Sequence, residues 1–208
     1  MEKVKTADDS VTLYSDKYKE TFHTMSGAIE ESFKKFVEPC NLKPGMTILE
    51  IGFGLGYNCL AAIHSIKKIK IIALEKDKEV LEAMQDLEVL DKFKADFEIV
   101  KIAAKNLHYK DDNIKIMIIL GDAVDTIKEL NEEFDAVFLD AFSPPKNPEL
   151  WTLEFFKDVK KLMKKDAVLA TYSYARKVRE NLTNAGFSVR DGPVVGRRSP
   201  STLAFNES

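Results

Sequence analysis

Residues 46–58 read MTILEIGFGLGYN. An unbroken apolar run meets glycines at positions 52, 54 and 56, then passes into YNCLAAIHSIK, whose apolar spacing is helical. A strand apolar on both faces, turned by glycines into a helix, is the repeating unit of a parallel sheet covered on both sides. The chain repeats that unit. IKIIAL (69–74) predicts a second strand and KEVLEAMQDLEVL (78–90) an amphipathic helix. IKIMIILGD (114–122) predicts a third strand, followed by a short helix, AVDTIKEL. FDAVFLD (134–140) is a fourth strand, LEFFKDVKKLM (153–163) a helix, and AVLATYS (167–173) a fifth strand. ARKVRENLTNAG (175–186) is a helix with a glycine stop, and FSVRD (187–191) and TLAFN (202–206) close the chain. The connection GPVVGRRSPS between the last two is too short for a crossover helix, so they are expected to pair antiparallel.

Upstream, SVTLYSDKYKETFHT (10–24) has the β-branched and aromatic content of a short hairpin. SGAIEESFKKFVEP (26–39) predicts a helix with Ile29, Phe33 and Phe36 or Val37 on one face and Ser26 as its cap. The expected organisation is an α/β domain over residues 43–208 carrying an N-terminal hairpin and helix extension, residues 1–42, packed on its core. At 208 residues, with 45% hydrophobic and 31% charged residues, the chain has the composition of a soluble globular domain of this size. No stretch approaches the roughly 20 apolar residues of a membrane span, and the N-terminus lacks an apolar signal core, so a cytoplasmic protein is expected. Cys40 and Cys59 fit no metal-ligand spacing, so no metal site is expected and both read as small buried hydrophobes.

The glycine loop departs from the dinucleotide fingerprint G-x-G-x-x-G, because Tyr57 stands where the third glycine would be. Glu50, two residues before Gly52, would repel a pyrophosphate but suits an ammonium group. Glu75 ends the second strand, where an acid holds a ribose diol. Asp122 ends the third, either to accept from an adenine amino group or to cap the next helix. Asp140 ends the fourth. These four acids fall at the carboxyl ends of successive strands, the edge where open α/β sheets bind ligands. A ligand offering an ammonium, a ribose diol and an aminopurine is S-adenosylmethionine.

Asp140 opens LDAFSPPKNPELW (139–151), which holds three of the chain's seven prolines and its only tryptophan. Prolines restrict such a loop before anything binds, which suits positioning of a substrate. Asn147 and Pro148 read as a helix cap and first position. Trp151 is expected to pack against the sheet, with base stacking as the alternative. Charge is uneven: net −3 alone argues against nucleic acid, but residues 157–198 hold eleven Lys and Arg against four acids, and the remainder carries −10. Such asymmetry suits an anionic partner.

LDAFSPPKNPELWTLEFF, with LEIGFGLGYN upstream, GRRSPSTLAF downstream and ETFHTMSG near the start, resembles the methyltransferase domain of the tRNA wobble-uridine enzyme family MnmC. The resemblance implies a class I S-adenosylmethionine-dependent methyltransferase, Rossmann-like, with a seven-stranded mostly parallel sheet and one antiparallel strand. It implies methyl transfer to the amine of 5-aminomethyl(-2-thio)uridine in the tRNA anticodon. By motif position Glu50, Gly52, Phe53, Gly54, Gly56 and Asn58 are expected around the methionine part, Glu75 at the ribose, and Asp122 with Ala123 at the adenine. Asp140 is expected at the reacting amine as the catalytic group. Phe142, Lys146, Arg176, Arg179, Arg197 and Arg198 are expected to meet RNA, with the lysines of 157–165 as further phosphate candidates. The length and the single glycine loop lead us to expect no FAD and no oxidase activity. An aminopropyltransferase of the spermidine synthase type and a non-catalytic tRNA-binding module are the alternatives. The first would need a second acid soon after Asp140, where Ser143 and prolines stand.

Overall fold

The computed structural model describes residues 1–23 and 27–207. Among them, an eight-stranded sheet runs in the order 188–191, 202–205, 163–171, 134–139, 47–51, 69–75, 114–120 and 108–110. Its parallel centre consists of β4 (Thr47–Ile51), β5 (Ile69–Glu75), β7 (Ile114–Leu120), β8 (Phe134–Leu139) and β9 (Met163–Thr171). β11 (Thr202–Phe205) is antiparallel to β9, and β10 (Ser188–Asp191) pairs antiparallel with β11, as the short connection requires. The eighth strand, beyond the seven expected, is β6 (His108–Lys110), three residues antiparallel to β7 at the edge. A short, polar strand in that place blunts an otherwise open edge.

Helices cover both faces because both faces of the central strands are apolar. One apolar layer gathers α1 (Ala28–Ser32), α2 (Tyr57–Ser65) and α4 (Lys94–Asn106) against Ile48, Ile71 and Ile116. The other gathers α6 (Leu153–Lys161) and α7 (Arg176–Asn184) against Leu49, Val137 and Leu169. Adjacent strand residues thus go to opposite layers, as the pleat demands. Cys40 and Cys59 are buried, unpaired thiols in the first layer.

Two stretches differ from expectation. The helix expected over 78–90 ends early: α3 spans Lys78–Ala83, and Leu87 and Val89 turn inward from non-helical backbone. α4 and β6, which occupy residues the sequence left unassigned, complete that side. α1 is followed by a wide turn, Phe33–Val37, with i→i+5 bonding, and both Lys35 and Phe36 of that turn are buried completely. Gly27 precedes α1; Ser26, expected to cap it, lies outside the described residues. A separate three-stranded sheet, β1 (Glu2–Lys5), β2 (Val11–Ser15) and β3 (Glu20–Thr21), is tied to α2 by a bond from the Tyr57 hydroxyl to the Val11 carbonyl, 2.6 Å.

Candidate active site

The carboxyl ends of β4, β5, β7 and β8 open into one cavity of about 490 Å³, roofed by the turn between β2 and β3. Gly52 carries the chain across its floor at φ +87°, and a Cβ there would stand 2.8 Å from the Asp140 carbonyl oxygen. Only glycine permits both that angle and that approach. Gly52, Gly54, Glu75, Asp122, Ala123, Asp140 and Phe142 all line the cavity. Glu50, Phe53, Gly56 and Asn58 stand behind it. Gly56, at φ +76°, serves packing, since a Cβ would meet a Val100 methyl at 2.6 Å.

Each acid is held differently. Glu75 takes the Gly54 amide on one oxygen and the Asp77 amide on the other, both at 2.8 Å, which fixes its carboxylate plane toward the cavity. Asp122 caps helix α5 (Ala123–Thr126) through the Val124 amide at 3.1 Å and also lines the cavity. Lys76, 2.5 Å away, holds its carboxyl below the usual range. Asp140 is partly buried and accepts the Asn58 side-chain amide at 2.8 Å. Burial first, and then the charge of Glu31, push its titration up to about 7. Glu50 is buried with neither oxygen hydrogen-bonded, and burial, Asp140 and Glu75 raise it well above the carboxylate range. Buried carboxylates in such a state invite a cation.

Six carboxylates line the cavity against two lysines, Lys19 and Lys76. That balance would repel a dinucleotide pyrophosphate. It fits a ligand with two positive centres, a sulfonium and an ammonium, and the oriented Glu75 carboxylate fits its ribose diol.

The N-terminal segment contributes more of the wall than the sequence revealed. Tyr18 stacks on Phe142 with ring centres 4.1 Å apart, and Ser143 donates to Glu20 at 2.6 Å. His23 lines the cavity, packs edge-on against Tyr57, and is held neutral: burial moves its titration down to about 4. Glu31 lines the cavity too and pairs with Lys35. Tyr172, from the end of β9, donates to the Ala141 carbonyl at 3.0 Å.

Trp151 braces the proline loop from behind. It is 4% exposed, donates its indole N–H to the Phe142 carbonyl at 3.1 Å, and accepts the Asn181 amide on its own carbonyl at 2.8 Å. Asn147 stands at the cap position of the turn Pro148–Trp151, but its side chain makes no cap bond. Trp151→Ala should therefore cost about 3–5 kcal/mol, read as a fall of roughly 6–20 °C in Tm. An unchanged Tm would contradict the bracing role.

Lys146 lies on the same loop but does not line the cavity. None of the four arginines expected at RNA lines the cavity. Arg176 and Arg179 start α7 and line a second groove with Tyr174. Arg179 is fixed by Asp191 at 2.9 Å and lies 4.7 Å over the Tyr174 ring. Arg197 lies over Tyr172, 5.8 Å away, and Arg198 is exposed on the same loop. The lysines of α6 and beyond do not line the cavity. Lys164 pairs with Asp135 at the opposite end of β8 from Asp140, Lys161 pairs with Asp158, and Lys160 donates to the Gly186 carbonyl.

Residues 85–207 match the family described as S-adenosyl-L-methionine-dependent methyltransferase. An uncharacterized protein of Methanocaldococcus jannaschii is 33% identical over 97% of this chain and 58% of its own length. The tRNA 5-methylaminomethyl-2-thiouridine biosynthesis bifunctional protein MnmC of Ralstonia nicotianae is 29% identical over 93% of this chain, which spans 33% of that protein. In structure, MNMC2 from Aquifex aeolicus superposes with a TM-score of 0.86 at 34% identity, covering 98% of this chain and 69% of that one. Spermidine synthase from Thermotoga maritima, with a TM-score of 0.65 at 16% identity over 100% of this chain and 72% of that one, shares the fold alone.

Proposed function

This chain belongs to the MnmC family of S-adenosyl-L-methionine-dependent methyltransferases, and from that premise we propose that it methylates the amine of 5-aminomethyl(-2-thio)uridine at the tRNA wobble position. The observation that carries the reading is Asp140: a partly buried acid at a strand end, held by Asn58 in the wall of a cation-suited cavity, beneath a proline loop.

Bound S-adenosylmethionine supplies a methyl carbon on positively charged sulfur, ready to pass to a nitrogen lone pair. Glu75 would hold the ribose diol, and Asp122 with the Ala123 backbone the adenine. Gly52 and Gly54 let backbone approach the methionine part. Glu50 would act through charge from behind the loop, because an arriving ammonium lowers the cost of ionising it. An aliphatic ammonium has no lone pair. Asp140 would take its proton onto a carboxylate oxygen and keep the neutral amine oriented, with position and exclusion of water supplying most of the rate. Residues 1–42 would roof this site on a methyltransferase unit of 43–208. The target base would leave its stack to reach the cavity.

The partner we propose is the anticodon region of a cytoplasmic tRNA, met by Arg176, Arg179, Arg197 and Arg198 along the rim, with Phe142 at the base and Lys146 toward the backbone. Arginine offers phosphate a planar two-pronged contact. Affinity for tRNA should fall steeply with salt. Arg197→Ala with Arg198→Ala should flatten the slope of log K against log salt by roughly 1–2, equally for modified and unmodified tRNA. A salt-insensitive binding constant would contradict the basic rim. For the reaction itself, digestion of aminomethyl tRNA treated with labelled S-adenosylmethionine should yield labelled 5-methylaminomethyluridine or its 2-thio form. Label that never leaves the cofactor would sink the reading.

A further inference from the structure

The mechanism above leaves a buried ion pair unused. Glu31, on α1, is 6% exposed, lines the cavity and is close enough to Asp140 to raise its proton affinity. Its partner Lys35 is 0% exposed and does not line the cavity, so Lys35 cannot touch a ligand. Buried ion pairs are weak sources of stability, since apolar side chains of similar volume often serve as well. What Lys35 does supply is a positive charge directly behind the Glu31 carboxylate. Asp140, fixed by Asn58, stands in the same wall. The two carboxylates come from different elements and both line the cavity, whereas Lys35 does not.

We propose that Glu31 and Asp140 together form the seat of the substrate's primary ammonium, with Glu31 as the residue that excludes amines carrying a carboxylate. The inference rests on the amine-methylation reading above. A primary ammonium has three N–H donors. One proton passes from nitrogen to the Asp140 carboxylate, giving a neutral amine and a carboxylic acid. Glu31 accepts one of the two remaining N–H groups and so helps set the direction of the lone pair. A carboxymethylated amine would instead bring a second negative group against Glu31, Asp140 and Glu20, all of which line the cavity. Like charges at such range are strongly disfavoured when buried.

The test compares anticodon stem-loops carrying uridine, 5-aminomethyluridine or 5-carboxymethylaminomethyluridine in a binding measurement without turnover, alongside methyl transfer to the corresponding tRNAs. Wild type should bind the aminomethyl form at least about tenfold more tightly than the other two. Glu31→Gln should erase most of that preference while leaving affinity for the plain stem-loop unchanged. Because Glu31→Gln strands a buried lysine, the double variant Glu31→Gln, Lys35→Met is measured as well, and it should show the same loss in a stably folded chain. An undiminished preference in the double variant, with wild type methylating the aminomethyl tRNA, would overturn this inference and leave the reaction standing. A wild type that neither prefers nor methylates that RNA would overturn the reaction itself, and this subsite with it.

Discussion

Asp140→Asn should lower methyl transfer by about 10²–10⁴-fold, the usual contribution of a positioned general base, and should make the protein more stable at pH 8. Asparagine keeps the volume and can still accept the Asn58 amide that wild type receives at 2.8 Å. It cannot take a proton. The stability effect follows from the direction of the titration shift. Asp140 titrates at about 7 in the folded chain, against about 3.9 when unfolded. Below pH 4 both states carry the proton, and the two side chains cost much the same. Between pH 4 and 7 the folded state holds a proton that the unfolded state has released, so wild-type stability falls as pH rises. Above 7 the full penalty of a buried charge applies, and the variant escapes it. The gain should reach about 2–4 kcal/mol, or roughly 5–15 °C in Tm, and should vanish near pH 4. In wild type, kcat/KM should fall on the acid side of about 7, since it follows the free enzyme's base. Near-wild-type turnover in Asp140→Asn would remove Asp140 from the chemistry. A Tm gain independent of pH would remove the buried charge as its cause.

Gly52→Ala should damage fold and site together. The backbone at φ +87° is one that alanine rarely adopts, and its methyl would be driven to 2.8 Å from the Asp140 carbonyl oxygen. Strain of that kind costs about 1–3 kcal/mol, and the contact adds to it because the neighbour is backbone, not a side chain that can swing away. Relief requires the first residues of the proline loop to move away from β4. The Asp140 backbone N–H donates to the Ile51 carbonyl at 2.9 Å, so that movement carries the proposed catalytic acid with it. Cofactor affinity and turnover should both fall by at least about 100-fold, a loss typical of a reacting group displaced by about 1 Å, with Tm lower by roughly 5–15 °C. Calorimetric titration with S-adenosylmethionine and a melting curve read the two effects separately. Wild-type affinity in this variant would show that the loop does not cradle the cofactor.

The sheet was legible because its central strands are rich in apolar residues and four of the five end in, or run directly into, an acid or a glycine. Glu75, Asp122 and Asp140 reach one cavity for that reason: strand ends in a parallel sheet share an edge. β6 escaped notice because three polar residues carry no periodic signal. α4 did carry one, in Phe97, Val100, Ala103 and Ala104, between the second and third strands. Glu50 reads as a cofactor contact from its place before the glycines, yet the pleat that sends Leu49 and Ile51 to one layer turns its side chain behind the loop. Glu31 and Lys35 were opaque for a different reason. Four residues apart on a helix, they read as an ordinary solvated pair, and only the wide turn at Phe33–Val37 and the packing of the N-terminal segment bury them. Of the lysines of 157–165, Lys164 pairs with Asp135 at the end of β8 far from Asp140, a pairing between residues 29 apart that the sequence does not announce.

The most direct measurement is methyl transfer from labelled S-adenosylmethionine, side by side, to tRNA bearing uridine, 5-aminomethyluridine or 5-carboxymethylaminomethyluridine at the wobble position. Label is predicted on the aminomethyl tRNA alone, recovered as the methylaminomethyl nucleoside. Label on the plain tRNA, or on none of the three while the cofactor still binds, would contradict the account.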